Sequence, residues 1–391
     1  MQIPAILTAK SLGLRVVATD RDSDALGFQF CDEAAVLDSK DVSGHVRFAQ
    51  ENAQRFNLRG AFAGSDVAVT VAAVTESLAL PGISLEVAQR SNNKSLMKER
   101  WLRDGIPTPF ALEVSTLDEA RQALRHVGFP AIIKAVDNAA SRGSKTIYSY
   151  ESLPLAFQQA VSASKTETAL VEQYVLGPEQ SVETIIWRGK HYHVGMADRS
   201  FDFHPYHIET SHTDPSQLAT DIQRRIYDVV DAAADSLGID FGPAKADMIL
   251  TNQGPMILEM PARLSGGFHS QYTTPLSSGK DPIRAVIEMA VGYPLDESLL
   301  QPKHNRVSIC AGVFPPEGLI AGIHGVEDAL SINGIEQIVV TRDVGDLVTA
   351  YVDNGCRFCW VIAVGDNVQH AKSLISEARA LIKFDIRQSE G

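Results

Sequence analysis

The chain has 391 residues, 45% of them hydrophobic, which is enough for two to four domains with separate cores. Its formal net charge of -13 argues against nucleic acid or an anionic membrane as the main partner, because such binding relies on clustered Lys and Arg. No run approaches the roughly 20 apolar residues that cross a bilayer, and no basic segment precedes an apolar one as in a signal peptide.

Residues 1–90 alternate helices and strands, a pattern typical of a doubly wound α/β domain. The predicted elements are a helix over Pro4–Leu12, a strand over Arg15–Thr19, a helix near Val42–Arg55, a strand over Gly60–Ala63 and a helix over Val67–Leu78. Asp20 ends the first strand, where dinucleotide-binding proteins place an acid for a ribose. The Gly-rich turn that such a site requires does not precede it, so nicotinamide binding is not favoured.

The next segment combines helix signals with a small-residue loop. Asn93 is a plausible N-cap for a helix over Lys94–Asp104, and Ser115–His126 has the spacing of an amphipathic helix. Pro130–Lys134 predicts a short buried strand ending in lysine. Asp137–Ser144 follows as a loop of small residues, whose backbone N–H groups can wrap phosphate oxygens.

Further strands follow this loop. Lys145–Tyr148 returns as a strand, Ala169–Val175 predicts another, and Ser181–Ile186 begins after a turn at Gly177. Gln217–Leu237 then reads as a long amphipathic helix.

Asp247–Gly267 is the most informative stretch, because two apolar strands flank a turn at Asn252-Gln253-Gly254. Asp247 and Glu259 are carboxylates in otherwise apolar strands, and antiparallel pairing brings them within reach of one cation. Strand alternation places Arg263 on the face of Glu259. Two acids and an arginine suit Mg²⁺, phosphate and a carboxylate, with an ordinary salt bridge as the alternative.

The C-terminal part predicts an α+β domain, with strands over Val307–Val313, Glu336–Arg342 and Trp360–Val364 and a helix over Gln369–Ile382. Four scattered cysteines, Cys31, Cys310, Cys356 and Cys359, are too few for a disulfide framework and indicate a reducing cytoplasm. Cys356 and Cys359 form a lone CxxC, and we favour two small hydrophobic residues lining a strand over a metal or redox site.

Taken in order, these pieces resemble the ATP-grasp superfamily, nearest to its carboxylate–amine ligase and carbamoyl-phosphate-synthase-like branches. The matching pieces are Asn93-Lys94, the Lys134 strand with Ser141-Arg142-Gly143, Glu172–Val175, Gly177-Pro178-Glu179, and the hairpin of Asp247, Glu259 and Arg263. The resemblance implies a mixed α/β and α+β ATP-grasp fold. It comprises an N-terminal domain over 1–90, an ATP-grasp domain over 91–300 with a lid at about 126–190, and a C-terminal domain over 301–391.

The resemblance also implies roles for individual residues. Lys94 and Lys134 would neutralise phosphate oxygens, and Ser141, Arg142 and Gly143 would form the phosphate-covering loop. The segment Glu172, Gln173, Tyr174 and Val175 would recognise adenine through its backbone, and Glu179 would bind the ribose hydroxyls. Asp247 and Glu259 would hold one or two Mg²⁺ ions, with Mn²⁺ as an alternative. Arg263 would contact the acceptor carboxylate or the acyl phosphate, and together with Lys134 it forms the expected catalytic pair.

The chain departs from the family pattern at two places. Relatives usually begin with a strand and a Gly-rich turn before the segment equivalent to Gln2–Leu7, and the chain starts after both. Relatives also carry an Asn as a further metal ligand two residues after the second acid. Here that residue is Pro261, so a second Mg²⁺ is expected to bind weakly or through Glu259 alone.

The implied reaction is attack of a substrate carboxylate on the γ-phosphate of ATP, after which an amine, an amino acid among the candidates, displaces phosphate from the acyl phosphate. The expected partners are small acids and amines, and a homodimer is one compatible assembly. Carboxyphosphate or carbamoyl phosphate chemistry and a non-catalytic nucleotide-binding protein remain alternatives. Candidate specificity residues are Arg199, Glu209, His212 and His269. Glu183 either joins Glu179 or is solvated, and a transition-metal site of His204, His207 and His212 is disfavoured.

Overall fold

The computed structural model describes residues 2–388. Its first part is a small α/β domain in which two parallel strands pair from Val17 opposite Glu33 to Asp20 opposite Val36. The elements are α1 (Ile3–Ser11), β1 (Val17–Asp20), β2 (Glu33–Val36), α2 (Val42–Phe56), α3 (Ala68–Ser77) and α4 (Leu85–Arg90). Asp41 caps α2 by accepting a hydrogen bond from Gly44 N, and Ser84 caps α4 by accepting one from Val87 N.

The predicted strand over Gly60–Ala63 is wrong, and the true second strand, β2, lies earlier in the chain. The segment is extended, but it passes the end of a helix instead of pairing with a strand. A Cβ on Gly60 would lie 2.2 Å from Ala290 O, so the backbone runs directly against that helix end. The apolar character of this segment therefore reflects packing between domains.

A four-stranded antiparallel sheet in the order β3-β6-β4-β5 forms the lid. Its elements are α5 (Lys94–Arg103), which precedes the sheet, β3 (Ala111–Val114), α6 (Leu117–Val127), β4 (Ala131–Ala135), β5 (Lys145–Ile147), α7 (Leu153–Ala163) and β6 (Ala169–Gln173). The sheet thus begins earlier and ends earlier than the predicted lid at 126–190. The reason is that β3 pairs with β6, a contact across more than fifty residues that no local pattern encodes.

An eight-stranded sheet in the order β11-β10-β7-β8-β9-β12-β16-β14 forms the body of the protein. The elements of its first part are β7 (Glu179–Trp187), β8 (Lys190–Phe201), β9 (Glu209–Asp214), α8 (Thr220–Leu237), β10 (Phe241–Thr251), β11 (Gly254–Glu259), a π-helical turn (His269–Thr273), α9 (Thr274–Ser278) and α10 (Pro282–Ala290). The predicted hairpin turn joins β10 to β11. Helix α8 buries Ile226, Val230 and Leu237 against β7 and β10, which is the stripe that its periodicity predicts.

The C-terminal part continues this sheet, because β12 pairs with β9. Its elements are β12 (Val307–Gly312), β13 (Gly318–His324), α11 (Val326–Leu330), β14 (Ile335–Val340), β15 (Leu347–Val348), β16 (Cys359–Gly365), α12 (Val368–Leu381) and β17 (Lys383–Arg387). Strands β13, β15 and β17 form a separate three-stranded sheet that the sequence did not predict. Cys359 lies buried in β16 as expected, whereas Cys356 lies in a short 3-10 turn instead of a strand. Within residues 2–388, no helix is long and apolar enough to cross a membrane.

His191 on β8 holds helix α8 against the eight-stranded sheet. His191 on β8 contacts Asp231 at 3.2 Å and Asp235 at 2.9 Å, one turn apart on the helix. The hydrogen bond to Asp231 raises the pKa of His191 against the opposing effect of burial. A raised pKa means that this stabilisation is full below about pH 6.5, the usual value for histidine, and fades as pH rises through the folded-state value.

We therefore expect His191→Gln to lower the free energy of unfolding by about 1 kcal/mol at pH 6 and by less at pH 8.5. Urea unfolding of the parent and the variant at both pH values measures this difference. His324→Gln is the matched control, because His324 pairs with Asp385 while both side chains are largely exposed. An equal loss at both pH values would show that the charged form of His191 does not contribute.

Candidate active site

The two hairpin carboxylates face each other as predicted. Asp247 on β10 is the register partner of Glu259 on β11. Burial raises the pKa of Asp247, with Glu259 adding to the rise. Burial acts in the same direction on Glu259, but Lys94 and Lys245 outweigh it and hold the pKa of Glu259 well below its usual range. A divalent cation binds the ionised form of both carboxylates, so its binding would favour loss of any proton from the pair.

Asp247 is also the end of a buried ion network. Arg199 on β8 donates to Asp247 Oδ1 at 2.8 Å, and the ammonium of Lys245 forms a very short hydrogen bond with the same oxygen. Arg199 lies 3.6 Å from Glu179 and 3.0 Å from Glu209. One guanidinium therefore connects three carboxylates at the base of the site.

Lys94 connects the second carboxylate to the lid. It is the first residue of α5, whose N-cap is Asn93 as predicted. Its Nζ lies 3.2 Å from Glu259 Oε2 and donates to Asn138 O at 2.5 Å. Lys94 is therefore a positive charge between the hairpin and the loop, which suits a phosphate oxygen entering between them.

Lys134 lies on β4 in a buried ion triad. Its Nζ donates to Glu172 Oε1 at 2.7 Å, and Lys98 Nζ lies 2.8 Å from Glu172 Oε2. Lys98 and Glu172 are almost fully buried, and burial lowers the pKa of Lys98 to about 8. Lys134 also contributes to the low pKa of Glu259, so it lies near the hairpin carboxylates.

The triad gives the side chain of Glu172 a role that the sequence did not predict, and it adds a residue. That side chain pairs with two lysines in the interior, whereas the predicted adenine recognition concerns only the backbone of this segment. Sequence reasoning missed Lys98, although a signal was present: Met97 and Trp101 define the buried face of α5, and Lys98 lies beside Met97 on that face. Lysine is rarely buried unless it is paired, so this position needed a partner.

We expect Lys134→Ala to weaken nucleotide binding about tenfold or more, because a phosphate charge would lose its partner in a partly desolvated site. The change also leaves Glu172 with one partner, so stability falls. Lys98→Met is the matched control: it removes the other partner of Glu172 from a position with no access to ligand. Titration of Mg–ATP by calorimetry, together with thermal unfolding, should show a stability loss in both variants and an affinity loss only in Lys134→Ala.

Gln173 ends β6, and Tyr174 and Val175 connect it to β7 outside both sheets. Their backbone groups are therefore not used by the sheets, which is the geometry expected of an adenine-binding hinge. Gly177 closes this connection against β10: a Cβ there would lie 2.0 Å from Leu250 O. Glu179 follows at the start of β7, where burial raises its pKa to about 7.

The loop over Asn138–Ser144 is folded against the body. Ser141 Oγ donates to His207 O at 2.7 Å, and Arg142 Nε donates to Asn138 Oδ1 at 3.1 Å. Gly143 has a φ of +69°, and a Cβ there would lie 2.7 Å from Ala163 Cβ. A glycine is therefore required at this position both by conformation and by space.

Arg263 does not continue the strand of Glu259, so the reasoning from strand alternation is wrong. Strand β11 ends at Glu259, and the chain turns at Pro261. Arg263 Nε donates to Asp66 Oδ1 at 2.7 Å and Nη1 donates to Leu264 O at 2.9 Å. Burial lowers the pKa of Arg263, but Asp66, Glu259 and Asp247 outweigh burial and raise the pKa. The contact with Asp66 links the guanidinium to a residue that lines the same cleft as Glu259.

Pro261 lines the same cleft as Glu259. Its carbonyl oxygen accepts from Lys245 N at 3.1 Å and from Arg263 N at 2.9 Å. Pro261→Asn preserves that oxygen and adds an amide oxygen beside Glu259. We expect the variant to reach half-maximal ADP formation at a several-fold lower Mg²⁺ concentration, since a hard cation gains an oxygen ligand. A Mg²⁺ titration of parent and variant checks this, and identical curves would mean that no second ion uses this position.

The predicted specificity residues come together around Glu209. His212 Nδ1 lies 3.2 Å from Glu209 Oε1, and its Nε2 lies 3.1 Å from Thr273 Oγ1. His269 Nε2 lies 2.9 Å from Asp214 Oδ2, and the two histidine rings are 5.5 Å apart. Burial lowers the pKa of His212, whereas Asp214 overcomes burial and raises that of His269.

Glu183 is neither solvated nor part of the Glu179 pair. It is completely buried, and its Oε1 accepts from Ser265 N at 2.6 Å and from Ser270 Oγ at 2.5 Å. Glu183 thus anchors the loop that follows Arg263. A loop on the far side of the hairpin covers this strand position, so strand alternation alone could not decide its environment.

A cleft of about 100 Å³ opens between the N-terminal domain, the lid loop and the hairpin. Residues from all three parts line it, including Lys40, Asp66, Lys94, Arg142 and Glu259. Four positions of the expected site thus line one opening: Lys94, Arg142, Glu259 and Pro261. Lys134, Glu179 and Asp247 do not line this opening.

The donor set fits magnesium and a polyphosphate. Asp247 and Glu259 offer only hard oxygen ligands, and Lys94, Lys134 and Lys245 supply charges for phosphates. Among residues 2–388, no group of three or more His, Cys, Asp or Glu side chains is arranged to hold a metal alone. His204, His207 and His212 are thus not brought together as a metal site in the described part of the chain. Mg²⁺ commonly takes one or two carboxylates and completes its shell with phosphates and water.

Comparison with known proteins agrees with this geometry. Residues 127–271 match the ATP-grasp domain, and residues 312–387 match the L-amino acid ligase C-terminal domain 2. The class of domain is therefore established: the chain contains an ATP-grasp domain, followed by a segment similar to the C-terminal domain of L-amino acid ligases.

Particular relatives extend this assignment. The structure of L-amino acid ligase from Bacillus licheniformis superposes with a TM-score of 0.86 at 20% identity, over 99% of this chain and 96% of that one. An uncharacterized protein y4rH from Sinorhizobium fredii is 22% identical over 90% of this chain and 74% of its own length. The N-terminal section of the carbamoyl phosphate synthase large chain from Aquifex aeolicus is 24% identical over 56% of this chain. The aligned part covers 40% of the length of that relative.

Proposed function

We propose that the protein is an ATP-dependent ligase that activates a substrate carboxylate as an acyl phosphate and joins it to an amine, with an amino acid as the leading candidate for each substrate. The observation that carries the proposal is the facing pair Asp247 and Glu259, with Lys94 3.2 Å from Glu259 and Arg263 held by Asp66 of the same cleft. The similarity to the L-amino acid ligase of Bacillus licheniformis over the whole chain supports an amino acid substrate.

The residues of the site have separate roles in the proposed reaction. Mg²⁺ held by Asp247 and Glu259 supplies charge neutralisation at the phosphates. Lys134 and Lys94 bind phosphate oxygens, and the connection at Tyr174 and Val175 receives the adenine. Arg263 orients the carboxylate that attacks the γ-phosphate of ATP, which gives the acyl phosphate and ADP.

The amine then attacks the acyl carbon, the C–O bond to phosphate breaks, and the amine loses a proton. Little covalent chemistry falls to the protein, so alignment and charge neutralisation lower most of the barrier. The loop over Asn138–Ser144 keeps water from the acyl phosphate.

A screen of ADP and phosphate release tests the proposal. The protein is incubated with Mg–ATP and pairs drawn from the amino acids, small carboxylic acids and amines, and with bicarbonate as a separate arm. We expect one group of acid–amine pairs to raise ADP release well above the rate without acceptor and to give a stable amide detectable by mass spectrometry. Stimulation by bicarbonate alone would support carboxyphosphate chemistry instead, and no stimulation by any arm would contradict a ligase.

A further inference from the structure

A turn of the C-terminal domain contacts the lid loop directly. Asn354 lies in the 3-10 turn over Asn354–Cys356, which Asp353 caps by accepting from Gly355 N at 2.6 Å. Asn354 N donates to Ala140 O at 2.9 Å, and Asn354 Nδ2 donates to Ser141 Oγ at 3.2 Å. Ala140 and Ser141 both have left-handed φ, +60° and +59°, so the loop is held in a conformation that L residues rarely adopt unaided.

The same turn clamps the backbone of Glu209. Asn354 Oδ1 accepts from Glu209 N at 3.0 Å, and Arg357 Nη1 donates to Glu209 O at 2.9 Å. Arg357 is fixed in turn, because its Nε donates to Asn354 O at 3.0 Å and its guanidinium lies 4.3 Å from the Trp360 ring centre. Both polar groups of one peptide residue are thus satisfied by the C-terminal turn.

The side chain of Glu209 connects this C-terminal turn, through Arg199, to Asp247 of the facing carboxylate pair. Its side chain binds Arg199 at 3.0 Å, and Arg199 binds Asp247 at 2.8 Å. A continuous series of hydrogen bonds therefore runs from Ser141 in the lid through Asn354, Glu209 and Arg199 to the carboxylate expected to hold Mg²⁺. The side chain of Asn354 uses a donor toward the lid and an acceptor toward Glu209, a combination that neither an ionised Asp nor Ala can supply.

We propose that Asn354 is a positioning residue that latches the lid loop closed and, through Glu209, sets the position of Arg199. The C-terminal domain thereby couples lid closure to the arrangement of the metal-binding carboxylates. This inference rests on the proposed ligase function for its catalytic consequence, since a poorly latched lid admits water to the acyl phosphate and releases ADP without product. The latch itself is a property of the fold and can be measured without turnover.

Limited trypsin digestion of the full chain tests the latch, because Arg142 is exposed within the loop. We expect cleavage after Arg142 about five- to tenfold faster in Asn354→Ala than in the parent, since two side-chain hydrogen bonds that oppose local opening are lost. Asn354→Asp keeps the acceptor for Glu209 and loses the donor to Ser141, so it should also speed cleavage. With the best acid–amine pair, Asn354→Ala should release more ADP per amide formed, and Asn354→Asp should lie between it and the parent.

Asn367→Ala is the matched control, because Asn367 caps α12 of the same domain by accepting from His370 N and does not touch the lid. It should leave cleavage after Arg142 and the ratio of ADP to amide unchanged. Cleavage of both Asn354 variants at the parental rate would overturn the latch, whatever the activity. If no substrate pair stimulates ADP release but cleavage is faster in the Asn354 variants, the ligase proposal fails and the latch stands.

Discussion

Asp247→Asn and Glu259→Gln are each expected to abolish ADP formation, by a factor of about 10³ or more, while the chain remains folded. The two carboxylates are register partners, so the loss of either leaves a divalent cation with one charged ligand. A bound metal contributes several kcal/mol of charge stabilisation in reactions of this kind, which corresponds to that factor. The measurement is ADP release at saturating Mg–ATP with the best acid–amine pair, accompanied by circular dichroism.

Glu297→Gln provides the matched control. Glu297 is an exposed carboxylate that pairs with Lys190 at 3.1 Å at the other end of β8, so its neutralisation removes an ion pair but no metal ligand. Its activity should equal that of the parent. Asp247→Asn should also lower stability, because Arg199 and Lys245 lose a buried partner. Normal turnover in both hairpin variants would show that the metal does not bind at this pair.

The hairpin and its carboxylates could be predicted from the sequence because the information is local. The turn at Asn252-Gln253-Gly254 sets the register as far as Met248 opposite Ile257, which brings Asp247 and Glu259 close together. A bulge between Asp247 and Met248, which no local pattern predicts, makes the two carboxylates direct partners. The cap at Asn93 is also a local signal, and it places Lys94 at the first turn of α5. Acids in apolar strands conflict with their surroundings, and such conflicts often mark functional sites.

The contacts that complete the site could not be predicted, because they join distant parts of the chain. Arg263 binds Asp66, which is 197 residues away, and Glu209 N binds Asn354, which is 145 residues away. Neither residue interrupts a local pattern: Asp66 lies in a polar turn and Asn354 in an ordinary Asp-Asn-Gly turn. The same limit explains the wrong prediction of a strand over Gly60–Ala63. The apolar residues of this segment pack against α10, which is distant in the chain.

The contact with Asp66 changes the interpretation of Arg263, the arginine to which the family resemblance assigns the acceptor carboxylate or the acyl phosphate. Arg263 is not a free cation on the hairpin face, because the N-terminal domain holds its Nε and the Leu264 carbonyl holds its Nη1. These two bonds fix the plane of the guanidinium, and a fixed plane is what bidentate recognition of a carboxylate requires. The N-terminal domain thus orients the residue expected to bind the acceptor.

Arg263→Lys is accordingly expected to separate nucleotide binding from ligation. Lysine keeps the positive charge near Glu259 but has no fork, and its ammonium cannot bind Asp66, the Leu264 carbonyl and a substrate carboxylate in one plane. The affinity for Mg–ATP should change by no more than about threefold, whereas amide formation should fall by about 10² or more. Calorimetric titration of nucleotide and mass-spectrometric quantification of amide measure the two effects.

Asp66→Asn tests the role of Arg263 in binding the acceptor carboxylate by changing its partner instead of the arginine. It leaves Arg263 intact and retains a neutral acceptor for Nε, so the guanidinium keeps its place with a weaker hold. We expect an intermediate loss of amide formation, expressed mainly as a higher KM for the acid, because the carboxylate-binding fork is less well oriented before substrate arrives. If Arg263→Lys weakens Mg–ATP binding as much as it weakens ligation, Arg263 acts on the phosphates, and the acceptor carboxylate must be bound elsewhere in the cleft.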